Sequence, residues 1–339
     1  MQLTYSAYKL NCIHPFGISR STHDYYDVVY ISLKGEGFTG RGEAAPSARY
    51  EESAALILSC LKAGLKVPEV MADPISFSNV LIGQCRGIKA LEAALSMAIM
   101  DWWCQFREIP VYKYFGADPD KTPLTSFTIS LGDRKLLSQK IEEAGPYSIL
   151  KVKLGQGIKK DKEIITAIRA ETDKLIRVDA NEGWDLDSAL YMCSWLKDNN
   201  VEFVEQPFKA RNLADTVKLR RVSPLRLIAD ENSLTAGDIK SLRQAFDGIN
   251  IKLMKCGSLF EAMEMIKAAR YHGLKIMLGC MVESSLGITA AAHLSPLVDY
   301  ADLDGNLLIN NDPYSGVKVV EGRLVLPTRN GLGVKKLLD

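Results

Sequence analysis

From about residue 123 onward, the chain alternates short apolar runs, rich in β-branched residues, with longer amphipathic stretches. Such runs are typical of buried strands, and the stretches between them have the apolar spacing of helices. From the second run onward, a position near the end of each run recurs every 22 to 26 residues, which predicts repeated βα units. The eight runs are LTSFTIS, SILKVKL, LIRVDA, VEFVEQ, LRLIAD, GINIKLM, LKIMLG and VDYADLD.

Eight parallel strands with helices between them close into a barrel, whose active site lies at the carboxyl ends of the strands. We therefore predict an α/β fold with a (β/α)8-type (TIM) barrel over residues 123–312. The side chains that end each run are the first candidates for function.

The first third of the chain follows a different pattern. Residues 1–45 alternate apolar and polar positions as half-buried strands do, and residues 51–66 and 88–107 have helical periodicity. This pattern predicts a smaller α+β domain over residues 1–122. Residues 313–339 do not continue the period of the barrel and are expected to return to that domain.

Three glycines near the start have the spacing of a dinucleotide-binding fingerprint: Gly35, Gly37 and Gly40. That fingerprint requires a helix to begin at the glycines, whereas a second strand-like segment, GRGEAA, follows them here. We therefore interpret them as turn residues of a hairpin.

The composition excludes several classes of protein. The 339 residues are 47% hydrophobic, which is ordinary for a globular chain, and 42 basic residues nearly cancel 41 acidic ones. Nucleic acid or an anionic membrane is therefore not an expected partner. The seven cysteines are dispersed without a Cys-x-x-Cys pair, and neither a signal pattern nor a membrane-spanning apolar segment is found, so we expect a cytoplasmic protein.

Three successive runs end in an acidic residue: Asp179, Glu205 and Asp230. Any one of them alone is more simply explained as the N-cap of the following helix. Three carboxylates that converge at the rim of a barrel would instead repel one another unless a cation lies between them. Oxygen donors without histidine or cysteine suit magnesium, with manganese as the alternative.

Lysines flank these acids in the chain. Lys151 and Lys153 belong to the second run and Lys252 to the sixth, where Asn250 shares the inward face; Lys255 is out of phase with it. A Lys-x-Lys strand is usually a solvated edge, but a barrel has no edges. Burial beside a dication and a second lysine is expected to lower the pKa of a lysine from about 10.4 toward neutrality, where it acts as a general base.

This combination of groups predicts proton abstraction next to a carboxylate. Removing such a proton places a second negative charge on the carboxylate and forms an enediolate, and a divalent cation on both carboxylate oxygens offsets that charge. Two lysines on opposite sides of the substrate can remove a proton from one face and return one to the other. The configuration of the carbon then changes.

The order of these motifs resembles the enolase superfamily, in the subgroup that includes muconate lactonizing enzymes and dipeptide epimerases. The motifs are Lys-x-Lys, then the acids of VDAN, VEQP and ADE, then the lysine of NIKLMK. The resemblance extends from GRGEAAP to GCMVESSLGITAAAH, and it implies that the first domain caps the barrel and is completed by the C-terminal segment.

The resemblance also implies a role for each residue at the strand ends. Lys153 and Lys252 would be the acid and the base on opposite faces of the substrate. Lys151 would lie beside the substrate carboxylate and lower the pKa of Lys153. The magnesium ligands would be Asp179, Glu205 and Asp230.

The last run ends in DLDGN, which contains Asp302 and Asp304. Aspartates are common in turns next to glycine, and the residues alone leave that explanation open. The resemblance implies instead an Asp-x-Asp motif that holds the free ammonium group of a dipeptide. Glu283, after the seventh run, is a further candidate for substrate binding, and Asn181 is a candidate to support Asp179.

The loop HPFGISRSTHDYYD and the region near Tyr50 are the expected determinants of specificity, because the resemblance places specificity in the loops of the capping domain. In epimerases that act on Ala-Glu, an arginine of the first loop meets the glutamate side chain, and Arg20 lies near that position. Phe16, Ile18 and Tyr25 would equally suit a small apolar residue, so both substrates stay open.

Residues and resemblance together predict a magnesium-dependent dipeptide epimerase, an isomerase that inverts the α-carbon of the second residue of an Ala-Xaa dipeptide. The dipeptide is the expected partner, peptidoglycan turnover is a plausible source of it, and assembly into a homo-oligomer is left open. The four histidines avoid the ends of the runs, which argues against a histidine base.

Other functions fit the same residues. N-acyl(succinyl)amino acid racemase, o-succinylbenzoate synthase and muconate cycloisomerase would use the same metal and lysines, but their substrates lack a free ammonium group. A lysine Schiff-base aldolase would need no metal. A non-catalytic metal-dependent binding protein would never exchange the α-proton.

Overall fold

The computed structural model describes residues 1–17, 22–130 and 136–337. The N-terminal part forms a three-stranded antiparallel sheet in the order β1-β2-β3, against which the following helices pack. The strands are β1 (Gln2–Gly17), β2 (Thr22–Gly35) and β3 (Phe38–Ala44), and the helices are α1 (Ala54–Lys62), α2 (Pro74–Ile82), α3 (Lys89–Phe106) and α4 (Val111–Tyr114).

The glycines near the start serve two purposes. Gly37, with φ 82°, lies in the tight turn between β2 and β3, as predicted. Gly40 lies within β3, where a Cβ atom would clash with the backbone carbonyl oxygen of Ala98 in α3. The prediction that Gly40 is a turn residue is therefore wrong: it permits the close approach of strand and helix.

Eight parallel strands form the second sheet, in which each strand pairs with the next one along the chain. They coincide with the eight predicted runs. The strands are β4 (Phe127–Ile129), β5 (Ile149–Lys153), β6 (Leu175–Asp179), β7 (Val201–Glu205), β8 (Arg226–Ala229), β9 (Gly248–Ile251), β10 (Lys275–Gly279) and β11 (Tyr300–Asp302).

Helices follow the strands, as the period predicts. The barrel is joined between its first and last strands by a bridge from Thr125 to Ala301, whose carbonyl oxygen also accepts a hydrogen bond from Ser126 N at 3.3 Å. The helices are α5 (Leu137–Glu143), α6 (Ile158–Arg169), α7 (Leu186–Lys197), α8 (Leu213–Val222), α9 (Ala236–Leu242), α10 (Leu253–Cys256), α11 (Leu259–Tyr271) and α12 (Ser285–Ala292).

The barrel strands are buried on both faces, and adjacent residues enter different cores. In β7, Val204 belongs to the large core that also contains helix residues, whereas Phe203 belongs to a separate cluster with Ile228, Met277 and Tyr300. Alternation along each strand therefore separates a helix-facing side from an inward side. The carboxyl ends of the inward side are left for polar residues.

The last described residues return to the first domain. Asp101 of α3 is buried and accepts hydrogen bonds from Leu332 N at 2.8 Å and from Arg41 N at 2.9 Å. Val111 N also donates to Gly331 O. The C-terminal segment, β3 and α3 are thus tied together, while the exact boundaries at residues 122 and 312 stay predictions. Among the described helices, none has the length and apolar character that crossing a bilayer requires.

Candidate active site

Three carboxylates meet at the carboxyl ends of neighbouring strands. Asp179 and Glu205 end β6 and β7, and Asp230 directly follows β8. The sheet register places Asp179 beside Glu205, and all three side chains are buried with one oxygen of each within 4.8 Å of the others. The predicted convergence of the three acids is therefore present.

None of these acids caps a helix. The helices that follow begin with other N-cap residues: the side chains of Asp185 and Asn212 accept hydrogen bonds from the first turns of α7 and α8, and Thr235 forms a capping box with Asp238 at the start of α9. The simpler interpretation of the three acids as N-caps is thus wrong, because capping is already supplied.

The pKa values of the three carboxyl groups depend on the positive charges nearby. Burial, followed by the charge of Asp179, raises the pKa of Glu205 to about 7. Burial would also raise the pKa of Asp179, but Lys153 and Lys151 outweigh it and hold this pKa at about 2. Asp230 likewise has its pKa lowered well below the usual value, against the effect of burial, by lysines.

The cluster fits a hard divalent cation. Its donors are oxygens only, and Mg²⁺ takes oxygen ligands at about 2.1 Å, a reach consistent with carboxylates this close together. Glu205 Oε2 is buried and makes no hydrogen bond of acceptable geometry, although Lys151 Nζ lies 2.7 Å away. The other oxygen, Oε1, accepts a hydrogen bond from Asn250 Nδ2 at 2.6 Å, which orients the carboxylate.

Lysines lie on both sides of the acids. In sheet order, β5 carries Lys153 on one side of the three acidic strands, and Lys252 follows β9 on the other. Lys153 Nζ is 2.7 Å from Asp179 Oδ2, and Lys252 Nζ is 2.7 Å from Asp230 Oδ2. A substrate held between them would present one face to each amine.

Lys151 lies deeper than these two, with 2% of its surface exposed. Its Nζ is 2.7 Å from both Glu205 Oε2 and Asp302 Oδ2. Burial lowers the pKa of Lys151, but the negative charges of Asp302 and Glu205 prevail and raise it well above the usual value. Asp230 similarly raises the pKa of Lys252 despite burial.

These directions are opposite to the lowering expected from the sequence. That expectation counted a dication among the neighbours of the lysines, whereas the protein's own charges are carboxylates that stabilise the ammonium form.

Lys255 is a residue that sequence reasoning ranked too low. Its Nζ donates to Asp230 Oδ1 and Asp230 O, both at 2.6 Å, and to Asn250 O at 3.0 Å. The strand phase seemed to exclude it, but α10 begins directly after Lys252 and brings position 255 back toward the site. In a helix, residues three positions apart lie on the same face, so a helix beginning at this point would have placed Lys255 on the same side as Lys252.

Asp302 and Asp304 both line the cavity above the acids. Asp302 Oδ1 accepts from Ser126 Oγ at 2.7 Å and its Oδ2 pairs with Lys151, whereas Asp304 Oδ2 accepts from Thr128 N at 2.6 Å. Burial, followed by the charge of Asp302, raises the pKa of Asp304 to about 7. Two carboxylates this close favour a cationic ligand group.

The remaining candidates fall in different places. Asn181 lines the cavity, and its N donates to Asp179 Oδ1 at 2.9 Å. Glu283 is buried, accepts from Met281 N at 2.8 Å and lies against Glu43 of the capping domain. Arg20 lies outside the described residues.

A cavity of about 760 Å³ lies between the end of the barrel and the capping domain. From the barrel, the lining includes the lysines Lys151, Lys153 and Lys252 and the carboxylates of Asp230, Asp302 and Asp304. The capping domain contributes a mixed wall, in which the aromatic residues Phe16, Tyr25, Tyr26 and Tyr50 lie among polar, acidic and small residues and Arg49. This volume is ample for a dipeptide.

Known proteins are similar to this chain in sequence and in fold. The family model described as enolase C-terminal domain-like matches residues 133–336. An L-Ala-D/L-Glu epimerase of Bacteroides thetaiotaomicron is 40% identical over 99% of this chain and 88% of its own length. An L-Ala-D/L-amino acid epimerase of Maribacter sp. is 37% identical over 98% of this chain and 99% of its own length.

A solved structure of a dipeptide epimerase from Cytophaga hutchinsonii, complexed with Mg and the dipeptide D-Ala-L-Val, superposes with a TM-score of 0.91 at 28% identity. The match covers 100% of this chain and 97% of the other. The resemblance inferred from the motifs is thus confirmed over the whole fold.

Proposed function

Since the chain belongs to the enolase superfamily, we propose that it is a magnesium-dependent dipeptide epimerase that inverts the α-carbon of the second residue of Ala-Xaa dipeptides. One observation carries the proposal: two buried lysines flank a carboxylate cluster and, together with Asp230 of that cluster, line the same cavity as a pair of aspartates. The cation site would bind the carboxylate of the second residue, and the two lysines would lie on either side of its α-carbon. The pair of aspartates would bind the N-terminal ammonium group of the first residue.

The two lysines move the proton. With the substrate between them, Lys153 Nζ removes the α-proton from one face while Lys252 Nζ delivers a proton to the other, and their roles are exchanged for the opposite stereoisomer. Asp179, Glu205 and Asp230 hold the magnesium ion. Bound there, the ion supplies positive charge that offsets the second negative charge on the substrate carboxylate.

Lys151 supports this chemistry from the inward side of the cluster. Its ammonium group, held by Glu205 and Asp302, adds fixed positive charge next to the position of the substrate carboxylate. Lys151 needs no proton exchange in this role.

Asp302 and Asp304 bind the free ammonium group of the first residue. Asp304 has its pKa raised to about 7 by burial and by Asp302, so an ammonium group would stabilise its ionised form. Substrates with an acylated nitrogen lack this interaction. The pair therefore favours dipeptides over N-acylamino acids.

The second residue, Xaa, is proposed to be glutamate or a small or apolar residue. Arg20 would favour glutamate, whereas the aromatic rings of Phe16 and Tyr25 suit an apolar side chain. Cytoplasmic location and homo-oligomeric assembly stay predictions from the sequence.

Proton NMR in deuterated buffer with Mg²⁺ tests the proposal, with a panel of Ala-Xaa dipeptides and N-succinylamino acids. We expect loss of the α-proton signal with change of configuration in dipeptides, and no exchange in the Lys153→Ala/Lys252→Ala double variant. Lys267→Ala, at an exposed ion pair of α11, is the matched control. Exchange confined to N-succinyl compounds would exclude the ammonium role of Asp302 and Asp304, and no exchange at all would reject the epimerase.

A further inference from the structure

Residues 47–52 of the capping domain, here called the capping loop, form a short turn at the mouth of the cavity. The turn is closed by hydrogen bonds from Tyr50 N to Ser47 O at 3.0 Å and from Glu51 N to Ala48 O at 3.1 Å. Arg49 and Tyr50 line the cavity from this loop. The loop is therefore part of the wall that a substrate meets.

The capping loop is anchored in its own domain at its C-terminal end. The carboxylate of Glu52 accepts hydrogen bonds from Lys89 N and, at 3.2 Å, from Ala90 N at the start of α3. This is a favourable site for a carboxylate, because the first N–H groups of a helix have no partner within the helix. This anchor does not involve the barrel.

Arg49 ties the loop to the barrel. Its Nε lies 3.1 Å from Glu182 Oε2 and its Nη2 lies 3.0 Å from Glu182 Oε1, a bidentate arrangement. The Arg49 side chain is 39% exposed, whereas that of Glu182 is 8% exposed. Surface ion pairs usually contribute little to stability. Here one partner is buried and prepositioned, so the arginine has a fixed docking point.

Glu182 is held by the loops that carry the metal ligands. It lies three residues after Asp179 with φ 63°, its N donates to Gln206 O at 2.9 Å, and its Oε1 accepts from Ala210 N at 2.8 Å. Gln206 Oε1 in turn accepts from Asp230 N at 2.9 Å. The docking point for Arg49 is therefore continuous with the backbone that positions the acids.

The neighbour of Arg49 faces the reacting groups. Burial, followed by the charge of Asp230, raises the pKa of Tyr50, while the charge of Lys252 lowers it. Tyr50, Asp230 and Lys252 all line the same cavity. A loop that moved away would withdraw this ring from the Lys252 side of the cavity.

We propose that Arg49 is a positioning residue: by docking on Glu182 it holds the capping loop, and with it Tyr50, over the Lys252 side of the cavity, so that bound substrate is retained. The proposal rests on the proposed function for the identity of the substrate. Arg49 takes no part in proton transfer. Its loss is expected to weaken substrate binding and to leave the chemical step nearly intact.

Steady-state kinetics with Arg49→Gln, Glu182→Gln and the double variant tests this. Glu182→Gln retains an oxygen for Ala210 N but loses the ion pair. Each single variant is expected to raise KM about tenfold with kcat within about threefold of wild type, and the double variant should match the singles because both remove one interaction. Arg49→Lys should recover part of the loss, and Lys62→Gln, an exposed cation of α1, is the control.

A second readout does not depend on turnover. Amide hydrogen exchange over residues 47–52, measured without substrate, should be faster in Arg49→Gln and Glu182→Gln than in wild type and in Lys62→Gln. Additive effects in the double variant, a fall in kcat at unchanged KM, or unchanged amide exchange would overturn the proposal. If wild type turned over no dipeptide, the proposed function would fail while the exchange experiment still decided the role of Arg49.

Discussion

The two walls of the cavity are built differently. On the barrel wall, charged groups are buried and paired with one another, as Lys151 is with Glu205 and Asp302. On the capping wall, four aromatic side chains lie among polar, acidic and small residues, and Tyr25 is 46% exposed. The barrel wall thus holds paired charges at the ends of parallel strands, whereas the capping wall is formed by the antiparallel strands β1 and β2 and by the segment around Tyr50.

The largest expected effect comes from the lysines of the barrel wall. Lys153→Ala and Lys252→Ala should each lower epimerisation by about 10³-fold or more, because each removes a proton-transfer group. Each variant should still exchange the α-proton of one stereoisomer, and the two should differ in which one. NMR in deuterated buffer with each isomer separately measures this. Retention of exchange with the same isomer in both variants would contradict opposite faces.

Next in size is a change at the metal cluster of the same wall. Glu205→Gln keeps an oxygen for Asn250 Nδ2 but removes one of three negative charges. Magnesium affinity should fall at least tenfold, and turnover by about 10² to 10³-fold, because less charge is offset in the transition state. Calorimetric titration with Mg²⁺ and the NMR assay measure the two quantities. Glu264→Gln, exposed on α11, should change neither.

The barrel wall was largely predictable from the sequence, and the physical reason is its local regularity. Strand period and alternation place Asp179, Glu205 and Asp230 at one rim and turn Lys153 and Lys252 inward. The same rule mispredicted Lys255, because it assumed that the strand continued where α10 begins.

The contacts between the walls could not be predicted from the sequence. Arg49 and Glu182 are 133 positions apart, and neither lies in a motif that indicates the other. Gly40 was likewise wrongly predicted to be a turn residue, although it packs closely on Ala98. The sequence alone does not distinguish a glycine needed for a turn from one needed for close packing. Contacts between residues that are far apart in the chain produce no periodic pattern of residue types in a single sequence.

A smaller effect is expected at Asp302 and Asp304, the proposed binding site of the ammonium group, where Asp304 makes no ion pair among the described residues. Binding a cationic ammonium group requires Asp304 in its ionised form, and its pKa lies near about 7. KM for dipeptides should therefore fall as pH rises through about 7. Asp304→Asn should raise KM about tenfold or more and abolish this pH dependence, because a neutral amide does not titrate. An unchanged pH profile in this variant would assign the titration elsewhere.

The smallest expected effect is a change in thermal stability at the contact between the capping domain and the barrel, where Glu43 lies next to Glu283. Glu43 of the capping domain accepts hydrogen bonds from Ser284 N and Gly287 N at the start of α12, next to Glu283 of the barrel. Burial is the main cause that raises the pKa of Glu43 to about 7. Burial, followed by the charge of Glu43, raises the pKa of Glu283 to about 8. At this contact two buried carboxyl groups therefore face each other, and each raises the cost of ionising the other.

The sign of the pH effect at this contact follows from linkage. Because both folded-state pKa values lie above the unfolded value near 4.5, the folded protein binds more protons, and stability falls as pH rises from about 5 through about 8. Glu283→Gln retains an oxygen for Met281 N and removes one of the two charges. It should raise Tm by about 1–3 °C at pH 8.5 and leave it unchanged at pH 5, measured by calorimetry without substrate. Equal shifts at both pH values would mean that packing, and not charge repulsion between the walls, governs this contact.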